Sequence, residues 1–271
     1  MEKIEKTTFK LGEEITPEQS TFFNKNGFIV FKNFLNKENV QLFLSEMKRV
    51  EAQFINEGIE KVNGVPVKYG EDGKGNKIVQ RFCFLSQYSP PLHELVQSPP
   101  MHTLLQLLHP FEGRIAEDEK DGLVLNNYLR TFKSTFTHMG WHTDSPRDLF
   151  MGQRIMPMLN VGVHLDDCPF TNGGLRIIPG THKQGLFKLM FGKKYFIDKK
   201  ADPNEVGFDI EAGDLSVHDG RIWHRVEQSP YTDERSRRRV MYMPIITGKY
   251  QPKTKTSKTP FYHRLGKLAN H

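Results

Sequence analysis

The sequence predicts a mostly β fold, a sandwich or barrel, with helices from its first third packed on one sheet. Three observations carry this. Beyond about residue 121, short runs such as LVLNNYL, MLNVGVHL, GLRIIPG, FDIEAGDLSVHDG and RRVMYMPI alternate with Gly, Pro, Asn and Asp, the texture of short strands joined by turns. Before that point, apolar residues recur at helical spacing. No repeat or low-complexity linker separates the two parts. One domain over 1–271 is therefore expected, with a helical layer and hairpin over 1–120, a barrel core over 121–248 and a basic tail over 249–271.

The elements follow in order. Thr16-Pro17-Glu18-Gln19 is a helix start, with Thr as cap, Pro in the first turn and Gln19 able to reach back. Gly27 suits a left-handed stop, and FIVFKNFL (28–35) then reads as a strand. Asn36 can cap a second helix whose Val40, Phe43, Met47, Val50 and Phe54 fall on one face. Residues 62–88 read as a hairpin around GEDGKGN, and Pro99-Pro100 opens a Leu-rich helix ending near His109-Pro110.

Composition narrows the functional classes. Hydrophobic residues at 37% and charged residues at 26% fit an ordinary soluble protein. No apolar run approaches the ~20 residues needed to span a bilayer, and MEKIEKTTFKLGEE lacks a signal-peptide core. Cys83 and Cys168 have no CxxC spacing and read as structural thiols in a reducing compartment. A cytoplasmic protein without a membrane partner is the expectation. The net charge of +6 resides largely in RSRRR (235–239) and in a tail with six Lys or Arg and no acid. Such runs are usually solvated faces, and with no zinc-finger spacing beside them a nucleic-acid partner is not expected.

The chemistry starts at Trp141-His142-Thr143-Asp144. In a strand, residues i and i+2 share a face, so His142 and Asp144 can point together into a barrel mouth. A second histidine would complete a 2-His-1-carboxylate triad, which leaves positions open on Fe(II). His164, His182, His218 and His224 are available; His224 is favoured because it follows a strand and precedes an Arg-rich one, with His218 next. The same three ligands also suit a zinc hydrolase, and a non-catalytic binding domain remains a third class.

Five segments in order give a sharper reading: TPEQSTFFNKNGFIVFKNFL, WHTD, NGGLRIIPGTHKQG, IEAGDLSVHDGRIWHRV and RRRVMYMP, spanning 16–246. Together they resemble the phytanoyl-CoA dioxygenase family of Fe(II)/2-oxoglutarate oxygenases. The resemblance implies a double-stranded β-helix, a jelly-roll or cupin-like pair of sheets with N-terminal helices on one of them. It implies Fe(II), with 2-oxoglutarate and O₂ as co-substrates, oxidative decarboxylation to succinate and CO₂, and hydroxylation of a small molecule. Carried over, His142, Asp144 and His224 match the metal triad. An Arg at the start of RRRVMYMP matches the anchor of the distal 2-oxoglutarate carboxylate, a task suited to a planar two-pronged donor. Arg237 is the choice, with Arg239 and Arg235 as alternatives, and Asn127 is a further co-substrate contact. This chain has His-Thr-Asp where the family often has His-Gln-Asp, leaving the ligands intact, and the retained Asp144 argues against halogenation. Segments 62–80 and 185–206 are long enough to form lids, and Arg147 lies near the mouth; neither identifies the substrate.

Overall fold

Thr16 caps the first helix as its side chain predicts: its Oγ1 accepts from the Gln19 amide (3.2 Å), and Gln19 Oε1 accepts from the Thr16 amide (3.0 Å). The structure is a computed structural model that describes residues 8–134, 136–145, 148 and 154–259. Arg147 and the end of the basic tail lie outside the described residues.

Helix α1 (Pro17–Asn26) stops at Gly27, which is left-handed with φ 79°. A Cβ there would also sit 2.3 Å from His182 Nδ1, so glycine answers both demands. Strand β1 (Phe28–Phe31) follows, and Asn36 caps α2 (Lys37–Glu57) by accepting from the Asn39 amide at 2.8 Å. Val40, Phe43, Met47, Val50 and Phe54 are all buried along α2.

The expected hairpin over 62–88 resolves into two. Strands β2 (Lys61–Val62) and β3 (Val65–Pro66) pair tightly, and β4 (Lys68–Glu71) pairs with β5 (Lys77–Phe82). Phe84, at φ 56°, turns the chain into a 3-10 turn at Leu85–Tyr88, so the second strand ends sooner than its apolar run suggests. Short helices α3 (Pro90–Val96) and α4 (Pro99–Thr103) complete the N-terminal layer.

The barrel comprises β6 (Arg114–Ile115), β7 (Val124–Tyr128), β8 (Met139–His142), β9 (Met158–His164), β10 (Gly174–Ile177), β11 (Val206–Gly207), β12 (Leu215–Asp219), β13 (His224–Glu227) and β14 (Arg238–Ile246). Helix α5 (Leu186–Phe191) also falls within this part. The larger sheet runs β1-β12-β9-β14-β7-β5-β4, with β6 also on β14; the smaller runs β11-β10-β13-β8. The pairings in both sheets are antiparallel, giving the jelly-roll fold of the cupin type.

One face of the large sheet meets the helices. Leu125, Val161, Val163, Leu215, Val217, Met241, Met243 and Ile245 join Val40, Phe43, Met47, Val50 and Phe54 in one core. At about 1.5–3 kcal/mol for each large side chain removed from water, this layer is the main gross stabilisation of the fold. Strand alternation turns the intervening residues inward: Asn126 and Tyr128 on β7, Asn160 and Gly162 on β9, Ser216 and His218 on β12, and Arg238, Val240 and Tyr242 on β14. Gly162 is small because Tyr242 and Ser216 crowd it; an added Cβ would lie 2.8 Å from the Tyr242 ring and 2.9 Å from Ser216 Oγ. The polar inner lining and the apolar outer face thus come from the same four strands.

Candidate metal centre

His142 and His224 stand directly opposite one another on β8 and β13, with ring centroids 4.1 Å apart. Each ring is oriented by its own strand: His142 Nδ1 lies 2.8 Å from the Gly140 oxygen, and His224 Nδ1 lies 3.1 Å from the Ile222 oxygen. A carbonyl only accepts, so each Nδ1 carries the proton and each Nε2 offers a lone pair.

Strand β8 ends at His142, yet Asp144 still joins the pair. Its amide donates to the Gly220 oxygen (2.7 Å), drawing the backbone against the turn before β13. Asn160 Nδ2 donates to Asp144 Oδ2 (3.2 Å) from the opposite sheet. Ligand atoms of His142, Asp144 and His224 all lie within 4.8 Å of one another. Two imidazoles and one carboxylate so grouped fit a divalent metal with open positions, Fe(II) or Zn(II).

The electrostatics fit a cation too. Burial alone would raise the Asp144 carboxyl, but His218, His224 and His142 around it hold it well below the usual carboxylate range. Burial lowers the pKa of both His142 and His224, and in His224 the neighbouring histidines lower it further. A carboxylate facing two neutral imidazoles is the protonation state a metal requires.

His218, the second choice for a ligand from the sequence, is also at the site. It reaches in from β12, with Nε2 3.7 Å from Asp144 Oδ2 and its ring centroid 4.4 Å from that of His224. That separation exceeds hydrogen-bond reach, and both ring nitrogens are buried without a partner. His164 instead bonds Ser216 Oγ (2.9 Å), and His182 lies against Asn24 and Gly27.

The expected co-substrate residues lie elsewhere. Arg237 forks onto Glu234 (2.7 and 2.5 Å) and donates to Asn127 Oδ1 (3.1 Å). Both residues line a cavity of about 400 Å³ with Leu44, Met47 and Glu51 of α2, on the helix side of the large sheet. Arg239 forks onto Asp166 (2.8 and 2.6 Å), and Arg235 lies over the Tyr231 ring. Neither Arg237 nor Asn127 is brought to the triad.

Arg238 takes the inward direction. It is buried, donates to the oxygens of Glu227 (2.8 Å) and Thr137 (3.2 Å), and lies over the Tyr128 ring at 5.4 Å. Its Nε has no partner, and no carboxylate among the described residues pairs with it. Four residues along the same face, the Tyr242 ring lies 6.5 Å from that of His218. Sequence reasoning missed Arg238 and Asn160. Met241, Met243 and Ile245 lie in the helix layer and put Arg237 and Arg239 on that side of β14, a parity that only the packing reveals because Val240 and Tyr242 on the other face are apolar too.

The family model for phytanoyl-CoA dioxygenase (PhyH) matches residues 23–235. The phytanoyl-CoA dioxygenase domain-containing protein 1 homolog of Dictyostelium discoideum is 22% identical over 256 residues, covering 83% of this chain and 89% of its own. The alpha ketoglutarate dependent carbocyclase SnoK from nogalamycin biosynthesis is 17% identical, with a TM-score of 0.63 covering 92% of this chain and 91% of that one. The epimerase SnoN, solved with Fe3+, alpha ketoglutarate and nogalamycin RO, is 18% identical, with a TM-score of 0.61 covering 86% and 84%. These two likenesses are of the fold.

Proposed function

Because the chain belongs to the phytanoyl-CoA dioxygenase (PhyH) family, we propose that it is an Fe(II)- and 2-oxoglutarate-dependent oxygenase hydroxylating an aliphatic C–H bond of a small molecule. The observation that carries the reading is the convergence of His142, Asp144 and His224 on one point between the sheets. In this reading those three residues hold the iron. Bound there with 2-oxoglutarate and O₂, iron would supply the oxidising power for hydroxylation, with succinate and CO₂ as co-products.

The chain's own residues bind, orient and shield. Asn160 donates to Asp144 Oδ2, the oxygen that also lies 3.9 Å from His224 Nε2, and so orients the carboxylate within the triad. Arg238, rather than Arg237 with Asn127, is assigned to the distal 2-oxoglutarate carboxylate, because its buried cation lacks a carboxylate partner. A desolvated guanidinium facing a carboxylate makes strong charge-assisted hydrogen bonds. Tyr128, Val240 and Tyr242 line the space between it and His218 and keep bulk water away. His218 has buried ring nitrogens without hydrogen-bond partners beside Asp144, suited to holding a co-substrate or substrate oxygen.

Anaerobic protein given Fe(II) and 2-oxoglutarate should develop the weak visible band of iron chelated by a 2-oxo acid. His142→Ala, Asp144→Ala and His224→Ala should each lose bound iron by metal analysis while retaining the circular dichroism of the fold. Tight zinc, no band and no succinate above background would overturn the oxygenase reading in favour of a hydrolase.

A further inference from the structure

We propose that the segment 183–200 is a docking surface for anionic lipid bilayers. Among the described residues nine large hydrophobic side chains are exposed, and five of them, Leu186, Phe187, Phe191, Phe196 and Ile197, fall within these eighteen positions. Phe187 and Phe191 are 77% and 71% exposed and pack on one another across a turn of α5, with centroids 5.3 Å apart. Single exposed apolar residues need no explanation, but a contiguous group marks an interaction surface.

Charge selects the partner. Segment 183–200 carries Lys183, Lys188, Lys193, Lys194, Lys199 and Lys200 against one acid, Asp198. Among the described residues, only Lys193 of these six is in an ion pair, with Asp202 at 2.7 Å. Phenylalanines that enter the acyl boundary, with lysines beside them at the headgroups, are the pattern of an interfacial anchor. An acidic protein partner would account for the lysines but not for so many apolar side chains presented between them. No helix among the described residues is long and apolar enough to cross a membrane, so the association is one of surface contact.

The patch is held at the candidate metal centre. Phe196 stacks on the His142 ring at 4.8 Å, and its amide donates to the Trp141 oxygen (2.9 Å). Trp141 returns two bonds of 2.8 Å, from its amide to Asp198 and from its indole to Lys200. Docking would therefore bring the metal centre to the bilayer and favour substrates dissolved in it. That consequence rests on the oxygenase reading; the docking itself does not.

The test is co-sedimentation of the full chain with phosphatidylcholine vesicles, with and without phosphatidylserine, read without turnover. Binding should require phosphatidylserine and weaken with added salt as screening shortens the reach of the lysines. Phe187→Ser with Phe191→Ser should lower the partition coefficient at least tenfold (roughly, from the apolar surface withdrawn), and Lys188→Glu with Lys194→Glu should do the same. Circular dichroism and succinate formation in solution should match the parent in both variants. Absence of binding to either vesicle, or binding unchanged by the Phe pair, overturns the proposal. So does a concentration-dependent dimer that the Phe pair abolishes, which would give the patch to a second copy of the chain. Vesicle binding without succinate formation would retain the docking surface and reject the oxygenase.

Discussion

Arg238 is a buried cation that donates to two backbone oxygens, lies over a tyrosine ring and pairs with no carboxylate among the described residues. Removing one partner of a buried charge pair typically costs about 2–5 kcal/mol. Arg238→Ala should therefore raise the 2-oxoglutarate dissociation constant at least ~30-fold, and Arg238→Lys should recover only part of the loss because an ammonium lacks the two-pronged geometry. Arg237→Ala should change that constant by less than about threefold, since its guanidinium is committed to Glu234 and Asn127. A titration against all three variants decides the assignment: a large loss at Arg237 alone would return the anchor to the helix side. His164 makes a different prediction. Burial lowers its pKa to about 4, with Asp214 opposing, whereas an unfolded histidine takes up a proton near 6.5. The unfolded chain thus binds the extra proton first. Stability should be full above about pH 6.5 and decline toward pH 4, by up to about 3 kcal/mol. His164→Gln should reduce the slope of urea-unfolding stability across that window, to which the buried His142 and His224 also contribute; an unchanged slope would show that His164 does not take part.

Among the elements, α2 shows how far local pattern reaches. Its cap at Asn36 and its buried stripe both follow from side-chain chemistry and helical spacing. Phe54, fully buried between the helix and the large sheet, should cost about 3–5 kcal/mol as Phe54→Ala, read as a fall in the chemical denaturation midpoint. A cost under about 1 kcal/mol would mean the helix layer is dispensable to the core. Strand β14 shows where pattern fails. Val240 and Tyr242 face the barrel while Met241 and Met243 face the helices, so both faces are apolar and alternation gives no parity. A one-residue ambiguity of this kind moves every side chain to the opposite face, and it separates Arg237 from Arg238. The His142–Asp144 spacing was legible because the short i, i+2 separation survives the end of β8. Asn160 was not, since its partnership with Asp144 arises only when the two sheets face each other. Likewise, the 62–88 segment contained the right apolar residues but no sign that Phe84 would reverse the backbone.

For the whole molecule, the candidate site is where the sheets are joined: His142 and His224 come from the small sheet, and Asn160 and His218, beside Asp144, from the large one. Ligands held there should tie the sheets together. At about one hundred times its dissociation constant a ligand adds ~2.7 kcal/mol, or roughly 5–10 °C in melting temperature for a chain of this size. Fe(II) with 2-oxoglutarate should give that rise under anaerobic conditions, and Asp144→Ala should abolish it; an equal rise in the variant would place the ligands elsewhere. The hydrogen bonds between Trp141 and residues 196–200 have a further consequence. Strand β8 is the last strand of its sheet, and an open edge invites pairing with another chain and aggregation. The backbone of 196–198 occupies part of that edge by exchanging bonds with Trp141. Apart from Phe196, which stacks on the His142 ring, the side chains of this segment can therefore vary with the surface they meet, but its length and path cannot. A deletion that trimmed it would leave the His142 strand exposed as a template for fibrils.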